Sequence, residues 1–362
     1  MTPRSRSRLV AGLVLALLLT ACAAVGSSGL PTGSTGLPGA PGPPTATGPS
    51  SGPSAAPSTA PSPPRTPLPT SRSTLPPGVL GVVESDGYVA FHSPNGIAID
   101  AAGDILVHDS ANARIVRLDP TGRPVSAFGQ RGTGPGDFAF LGFGGVAVDG
   151  DEILVVDNGT RSIKAFAADG TYRSAFGSEG PGDGQLMRPV YVAVGPGPDR
   201  LRYVTDDRKP FVQVFDPSGT FRFSFGGAGT GDGQFRHETG IAVAADGSVA
   251  VADYLDSRIQ LFDASGHFVR AFGGRGDGPG QLAGPDGIAV DSAGRWYVSD
   301  VSNHRIDVFA GDGTSLGSIP LGFTQMAEAP AGIAVAQDGT IWVADSHVSI
   351  VLHLPRPAFV PA

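Results

Sequence analysis

The chain has 362 residues, 54 of them Gly and 33 Pro, with a formal charge of -8 at neutral pH. That much Gly and Pro excludes uniform helical packing and predicts a low-complexity or loop-rich part. Residues 1–77 hold five Arg and no Asp or Glu, which leaves 20 basic against 33 acidic side chains beyond them; the resulting -13 excludes a phosphate-binding face, and with it nucleic acid as a partner.

In chain order, Met1 to Arg8 is a basic leader and Leu9 to Leu19 an apolar run of 11 residues, short of the roughly 18 to 20 that cross a bilayer as a helix. The run closes in Leu19-Thr20-Ala21-Cys22, which resembles the lipobox of bacterial lipoproteins. The resemblance implies that residues 1–21 are a signal peptide, that Cys22 is lipidated, and that the chain is exported and anchored to the outer face of the cytoplasmic membrane through that lipid only. An ordinary secretory signal cleaved nearby would instead leave Cys22 as a free thiol. Since Cys22 is the one Cys, intramolecular disulfides are excluded. Residues 22–78 read as a tether. They are dominated by Pro, Ser, Thr, Gly and Ala, and cannot bury enough apolar surface to offset their ordering entropy.

Residues 79–354 carry a repeat. Pro94-Asn95-Gly96-Ile97-Ala98-Ile99-Asp100, then Ile105 to Asp109, then Arg114 to Asp119, recur so that Asp109 has counterparts at Asp157, Asp206, Asp253, Asp300 and Asp345, spaced 48, 49, 47, 47 and 45 residues apart. Six copies at that period indicate a repeat architecture. The apolar runs are four to six residues long and end in turn signals such as Asp119-Pro120-Thr121-Gly122, so each copy predicts four antiparallel strands and the whole a six-bladed β-propeller. In the innermost strand Gly96 and Ala98 alternate with Ile97 and Ile99; one small face lets sheets converge on an axis. The last copy lacks a fourth strand, and 79–84 is expected to supply it; 355–362 is a C-terminal tail.

The pattern Pro-x-Gly-Ile-Ala-Val-Asp, Val-Ala-Asp-x-x-Asn-x-Arg-Ile and Phe-Gly-x-x-Gly-x-Gly-x-Gly-Gln-Phe resembles NHL repeats across nearly all of 79–354. The resemblance implies a six-bladed all-β propeller and leaves function open, since NHL-like propellers serve as sensor domains, protein- or RNA-binding modules and a zinc-dependent lyase. The lyase's zinc histidines precede the Gly-Ile-Ala strand; here those positions are Asn95, Gly144, Val190, Thr239, Asp286 and Ala331, so that metal site is not carried over.

Of seven histidines, His92, His237, His304 and His347 fall in loops on one face, where three could converge on Zn or Ca; no cofactor is otherwise expected. The repeated Asp pairs with an Arg five residues on (Asp109 with Arg114, Asp253 with Arg258, Asp300 with Arg305), a structural, exposed pairing worth about 0 to 1 kcal/mol. Asp157, Asp206 and Asp345 lack that Arg and are expected to be less committed. The Gly-rich loops 129–136 and 226–233 precede no helix and read as turns rather than phosphate cradles. What remains is the channel mouth: Asn95, Tyr191, Thr239 and Asp286, with Arg188, His237, Glu238 and Glu328 nearby. Tyr191 stands where the other copies carry Gly, either as a plug or as part of a polar mouth. The expectation is a monomeric, surface-tethered, non-catalytic propeller that binds or senses a protein, peptide or small-molecule ligand. The alternatives are a lactonase-like, metal-dependent extracytoplasmic hydrolase or lyase, and a structural envelope protein.

Overall fold

Short apolar runs become short strands because each is closed by a side-chain-assisted turn. In the turn after Leu118, the Asp119 carboxylate accepts the backbone N–H groups of Thr121 (2.8 Å) and Arg123 (3.0 Å), and Gly122 supplies a φ of 85°. Asp216, Asp263 and Asp338 build comparable turns. The computed structural model describes residues 81–83, 91–139, 142–321 and 329–360. The leader, Cys22, the tether and Glu328 lie outside the described residues.

The described strands form six four-stranded antiparallel sheets. We number them as blades: 94–128, 146–176, 189–226, 238–273, 285–320 and 330–354. Blade 6 takes its outermost strand from the other end of the chain, where Gly81–Val83 pairs with Ile350–Leu354, Gly81 opposite His353 and Val83 opposite Val351. The fold is an all-β, six-bladed propeller. Among the described residues helical geometry is limited to one 3-10 turn, Ser110–Asn112, and no helix is long and apolar enough to cross a membrane.

The core lies between blades. Each of six apolar clusters draws on two neighbouring sheets, from Leu106 with Phe166 (blades 1 and 2) to Ile97 and Val107 with Trp342 and Ala344 (blades 1 and 6). Aromatic pairs mark these seams, such as Phe225 with Phe262 at 4.8 Å and Phe272 with Phe309 at 4.7 Å between centroids. Near the axis the sheets touch through backbone. A Cβ on Gly96 would stand 2.7 Å from the Gly144 carbonyl oxygen, and one on Gly240, Gly287 or Gly332 would collide with the carbonyl of Asp286, Ala331 or Asn95 in the next blade. Side chains rivet alternate seams: Thr205 Oγ1 donates to the Thr239 carbonyl (2.8 Å) and Ser299 Oγ to that of Ala331 (2.7 Å). At the matching position of blade 1, His108 is fully buried with Nε2 3.4 Å from the Val156 carbonyl; burial pulls its pKa down to about 4, so it is neutral at pH 7.

Candidate functional site

The loops entering each blade and the loops between second and third strands share one end of the ring, because the repeated aspartates tie them together. Each of the six is fully buried and accepts a backbone N–H from its entry loop: Asp109 from His92 (2.7 Å), Asp157 from Ala139 (3.3 Å), Asp206 from Arg188 (2.8 Å), Asp253 from His237 (3.3 Å), Asp300 from Ala283 (2.9 Å) and Asp345 from Ala329 (3.1 Å). The Arg partners lie at graded distances, 2.7 Å for Arg114 and Asp109, 3.4 Å for Arg258 and Asp253, and 3.8 Å for Arg305 and Asp300, with Arg305 Nε turned to Asp307 at 2.7 Å. Two expectations need correction. The carboxylates are buried rather than exposed, and the three that lack Arg are fully committed. Asp157 holds Lys164 (3.0 Å), Asp206 also accepts Met187 N–H (2.5 Å), and Asp345 also accepts His347 N–H (3.0 Å).

The Gly-rich loops are closed by their own side chains. Gln185, Gln234 and Gln281 Oε1 accept the N–H of Gly182 (3.0 Å), Gly231 (3.1 Å) and Gly278 (3.0 Å), and Asp137 does the same for Gly134 (3.0 Å). These N–H groups, which a phosphate would need, are already satisfied.

The polar groups left over gather where blades 3, 4 and 5 meet the axis. Arg188 forms an ion pair with Asp207, the residue after the blade 3 clamp, and His237 Nε2 lies 3.7 Å from the same Asp207 carboxylate. Burial opposes ionisation of Asp207, but the hydrogen bonds from His237 and Arg188 outweigh it and hold the group below the ordinary carboxylate range. Glu238 opens the innermost strand of blade 4 directly opposite Asp253, at a position where blades 1, 3, 5 and 6 carry Pro94, Pro189, Pro285 and Pro330. It is 1% exposed, and among the described residues its Oε1 has no hydrogen-bond partner. Burial first, then the charges of Asp206, Asp207 and Asp253, push its pKa up to about 9, so it is a neutral acid at pH 7.

Tyr191 packs into the seam between blades 3 and 4 with Ala193, Tyr203 and Ile241, and keeps part of its surface accessible. Asp286, at the start of the innermost strand of blade 5, is half-buried, and among the described residues its carboxylate has no hydrogen bond or ion pair. Burial raises it to about 6, with His237 pulling the other way. Tyr191 and Tyr254 are raised by burial and, next, by the Asp286 charge. The Tyr254 ring lies 5.8 Å from that of His237.

The structure thus brings Arg188 and His237 together on Asp207, with Glu238 next in the chain, and sets Tyr191 and Asp286 on the innermost strands of the two flanking blades. Thr239 instead serves the frame, its Oγ1 donating to the Pro285 carbonyl (3.1 Å). Asn95 is buried in blade 1, its Nδ2 donating to Ser110 Oγ (2.8 Å) while its Oδ1 has no partner among the described residues. His92, His304 and His347 are exposed, and among the described residues no three His, Cys, Asp or Glu side chains stand close enough to hold a metal ion. Sequence reasoning missed Asp207 and Tyr254. Both follow the clamp aspartate, where the other blades have Ser110, Asn158, Val301 and Ser346; aligning that column would have singled them out.

The NHL repeat family pattern matches residues 282–309. No curated protein matches the chain. Among solved structures, a streptogramin B lyase is 15% identical over 76% of this chain and 98% of its own, with a TM-score of 0.55. A catalytically inactive variant of virginiamycin B lyase from Staphylococcus aureus with quinupristin gives 16%, 76%, 98% and 0.55. A gluconolactonase from Xanthomonas campestris is 22% identical over 74% of this chain and 86% of its own, also at 0.55. At these identities the likeness is one of fold.

Proposed function

We propose that the chain is an exported, lipid-anchored propeller that binds a ligand at the mouth between blades 3, 4 and 5. The observation that carries this reading is Asp286: among the described residues its carboxylate has neither a hydrogen bond nor an ion pair, yet it stays half-buried at the start of the innermost strand of blade 5. The setting supports it, since Glu238 and Tyr191 stand where packing alone is served by Pro and Gly in most other blades. Anchoring through Cys22, a monomeric ring, a protein, peptide or small-molecule partner and the absence of a nucleic-acid role are parts of the same proposal, resting on the lipobox and the acidic charge. A thermal-shift screen of small polar compounds tests it. Compounds that raise the unfolding temperature of the native chain are expected to lose that effect in Tyr191→Trp, which fills the mouth; effects unchanged by that substitution would place the site elsewhere.

A second reading is favoured by two carboxyls of unlike protonation, Glu238 neutral and Asp286 titrating near 6, beside the His237 and Asp207 pair. That division is what acid and base catalysis requires. It suits a lactonase- or lyase-like activity, which is what the gluconolactonase and the streptogramin B lyase are named for. Turnover of lactones or esters that is lost in His237→Ala would establish it, and metal analysis of the dialysed protein would decide whether Zn or Ca takes part.

A further inference from the structure

Blade 5 departs from its neighbours at one buried position. In blades 3 and 4 the third strand carries Gln213 and Gln260, both fully buried, and each closes the Gly-rich loop. Oε1 accepts the N–H of Gly184 or Gly233 (both 2.9 Å), and Nε2 donates to the carbonyl of Gln185 (2.5 Å) or Gln234 (2.7 Å). Gln213 and Gln260 stand opposite Val204 and Val251; the matching residue of blade 5, opposite Val298, is Asp307. Its side chain is one methylene shorter, and a carboxylate has no N–H to donate. The blade 5 loop is held instead by Arg305, which donates to the carbonyls of Asp277 (2.7 Å), Gly278 (3.2 Å) and Gln281 (2.6 Å), and by Asn303, which donates to that of Gly276 (2.9 Å).

Asp307 lies one diagonal step from the clamp Asp300 on the same face of the sheet, since Arg305 is the residue opposite Asp300. The two carboxyls are 1% and 0% exposed, and one guanidinium serves both: Arg305 Nε is 2.7 Å from Asp307 and Nη2 3.8 Å from Asp300. Among the described residues Arg305 is the one cation paired with either. The surrounding elements add no second counter-ion. Blade 4 brings apolar side chains such as Ala252 and Ile259 to this seam, and the fourth strand of blade 5 sets Ser318 opposite Asp307. The first strand sets Pro285 opposite Asp300, with Asp286 next. Of the loop groups, Arg275 donates to the Leu255 carbonyl (3.1 Å), Asp277 and His304 are exposed, and the Tyr254 ring packs on Gly284, its phenol kept neutral by burial. Two buried carboxylates against one cation leave one negative charge uncompensated, and such a charge is neutralised by taking up a proton. Burial is the largest influence on Asp307 and, together with the Asp300 charge, outweighs the bond from Arg305 and raises the group to about 7.

We propose that Asp300, Asp307 and Arg305 form a proton-operated latch on the mouth-side loop of blade 5. While Asp307 is protonated, Arg305 answers a single carboxylate and keeps its bonds to the loop carbonyls. When the proton leaves to solvent, the guanidinium is drawn to two charges, its hold on Asp277, Gly278 and Gln281 weakens, and residues 276–282 loosen. Asp300 also accepts the N–H of Ala283 (2.9 Å), so the release reaches the segment that leads to Asp286. Because folding raises the pKa of Asp307, the latch is closed on the acid side and opens as pH rises through about 7. The inference goes beyond the ligand reading and holds whether or not the mouth is occupied.

Hydrogen exchange of the full-length chain in detergent tests it from about pH 5.5 to about pH 8.5, read as protection factors so that the base catalysis of exchange itself cancels. Protection of Leu282 and Ala283 is expected to fall about tenfold across that interval, while Phe235, the counterpart of Leu282 in blade 4, keeps its protection. Asp307→Gln installs the residue of blades 3 and 4 and is expected to abolish the pH dependence, with the loop protected at both ends of the range. Asp307→Asn is neutral and keeps the size of the native side chain, and it should abolish the pH dependence even if the Gln variant fails to fold. Native protection that is flat across the range, or a pH-dependent loss that persists in either folded variant, overturns the proposal.

Discussion

Glu238 shows how one side chain can work against the fold that holds it. Its pKa rises from 4.5 to about 9 on folding, so the native state holds a proton that the unfolded chain releases across that interval. Its contribution is fully present below about 4.5 and is lost as pH rises toward about 9. Glu238→Gln, which keeps the shape and cannot ionise, is therefore expected to be about 1 to 3 kcal/mol more stable than the native chain at pH 7, with the gap closing toward pH 4.5. Urea unfolding at several pH values measures this; a constant gap would mean that Glu238 is not the neutral acid. Asp286 is raised only to about 6 and is ionised at pH 7. The two carboxyls were legible in the sequence as side chains at or beside the channel mouth. Their opposite protonation states were not, because these depend on Asp206, Asp207 and Asp253 arriving from positions 15 to 32 residues away.

At the level of the loop and the strand, the recurrent Gly-x-Gly-x-Gly-Gln run is a closed device whose last side chain folds back on the turn. Gln281→Ala frees the N–H of Gly278 and is expected to cost about 1 kcal/mol. The loss is local, so amide exchange at Gly278 should accelerate while the strands of blade 5 keep their protection. The innermost strand is less forgiving. Gly240→Ala drives a methyl group into the Asp286 carbonyl of the next blade and is expected to cost about 1 to 3 kcal/mol, read as a lower urea midpoint with an unchanged slope. Strand number, turn positions and the small inner face could be read from the sequence because they are local and repeat six times. The clamp role of the buried aspartates could not, since their chief partners are backbone N–H groups 16 to 18 residues earlier, and backbone donors leave no mark on residue identity.

Across the whole ring, six similar seams share the core, and one of them depends on a strand from the far end of the sequence. A chain that starts at residue 91 lacks Gly81–Val83, leaves Ile350–Leu354 as an open edge and is expected to melt at lower temperature and to self-associate, which light scattering after size exclusion would detect. A monomer of unchanged melting temperature would show that the ring closes on the blade 1 and blade 6 core alone, through Ile97, Val107 and Trp342. The join falls inside blade 6, between its third and fourth strands, rather than between two blades. The architecture is therefore circular in everything but its covalent path. The seam can be moved. If residue 354 is carried round to residue 81 by a short linker that retains the 355–360 tail, and the chain is restarted at the exposed Ser218 turn, every strand keeps its neighbours. Where the protein begins and ends is then a choice of genetic layout, and a fused domain can be made to leave the ring from any blade.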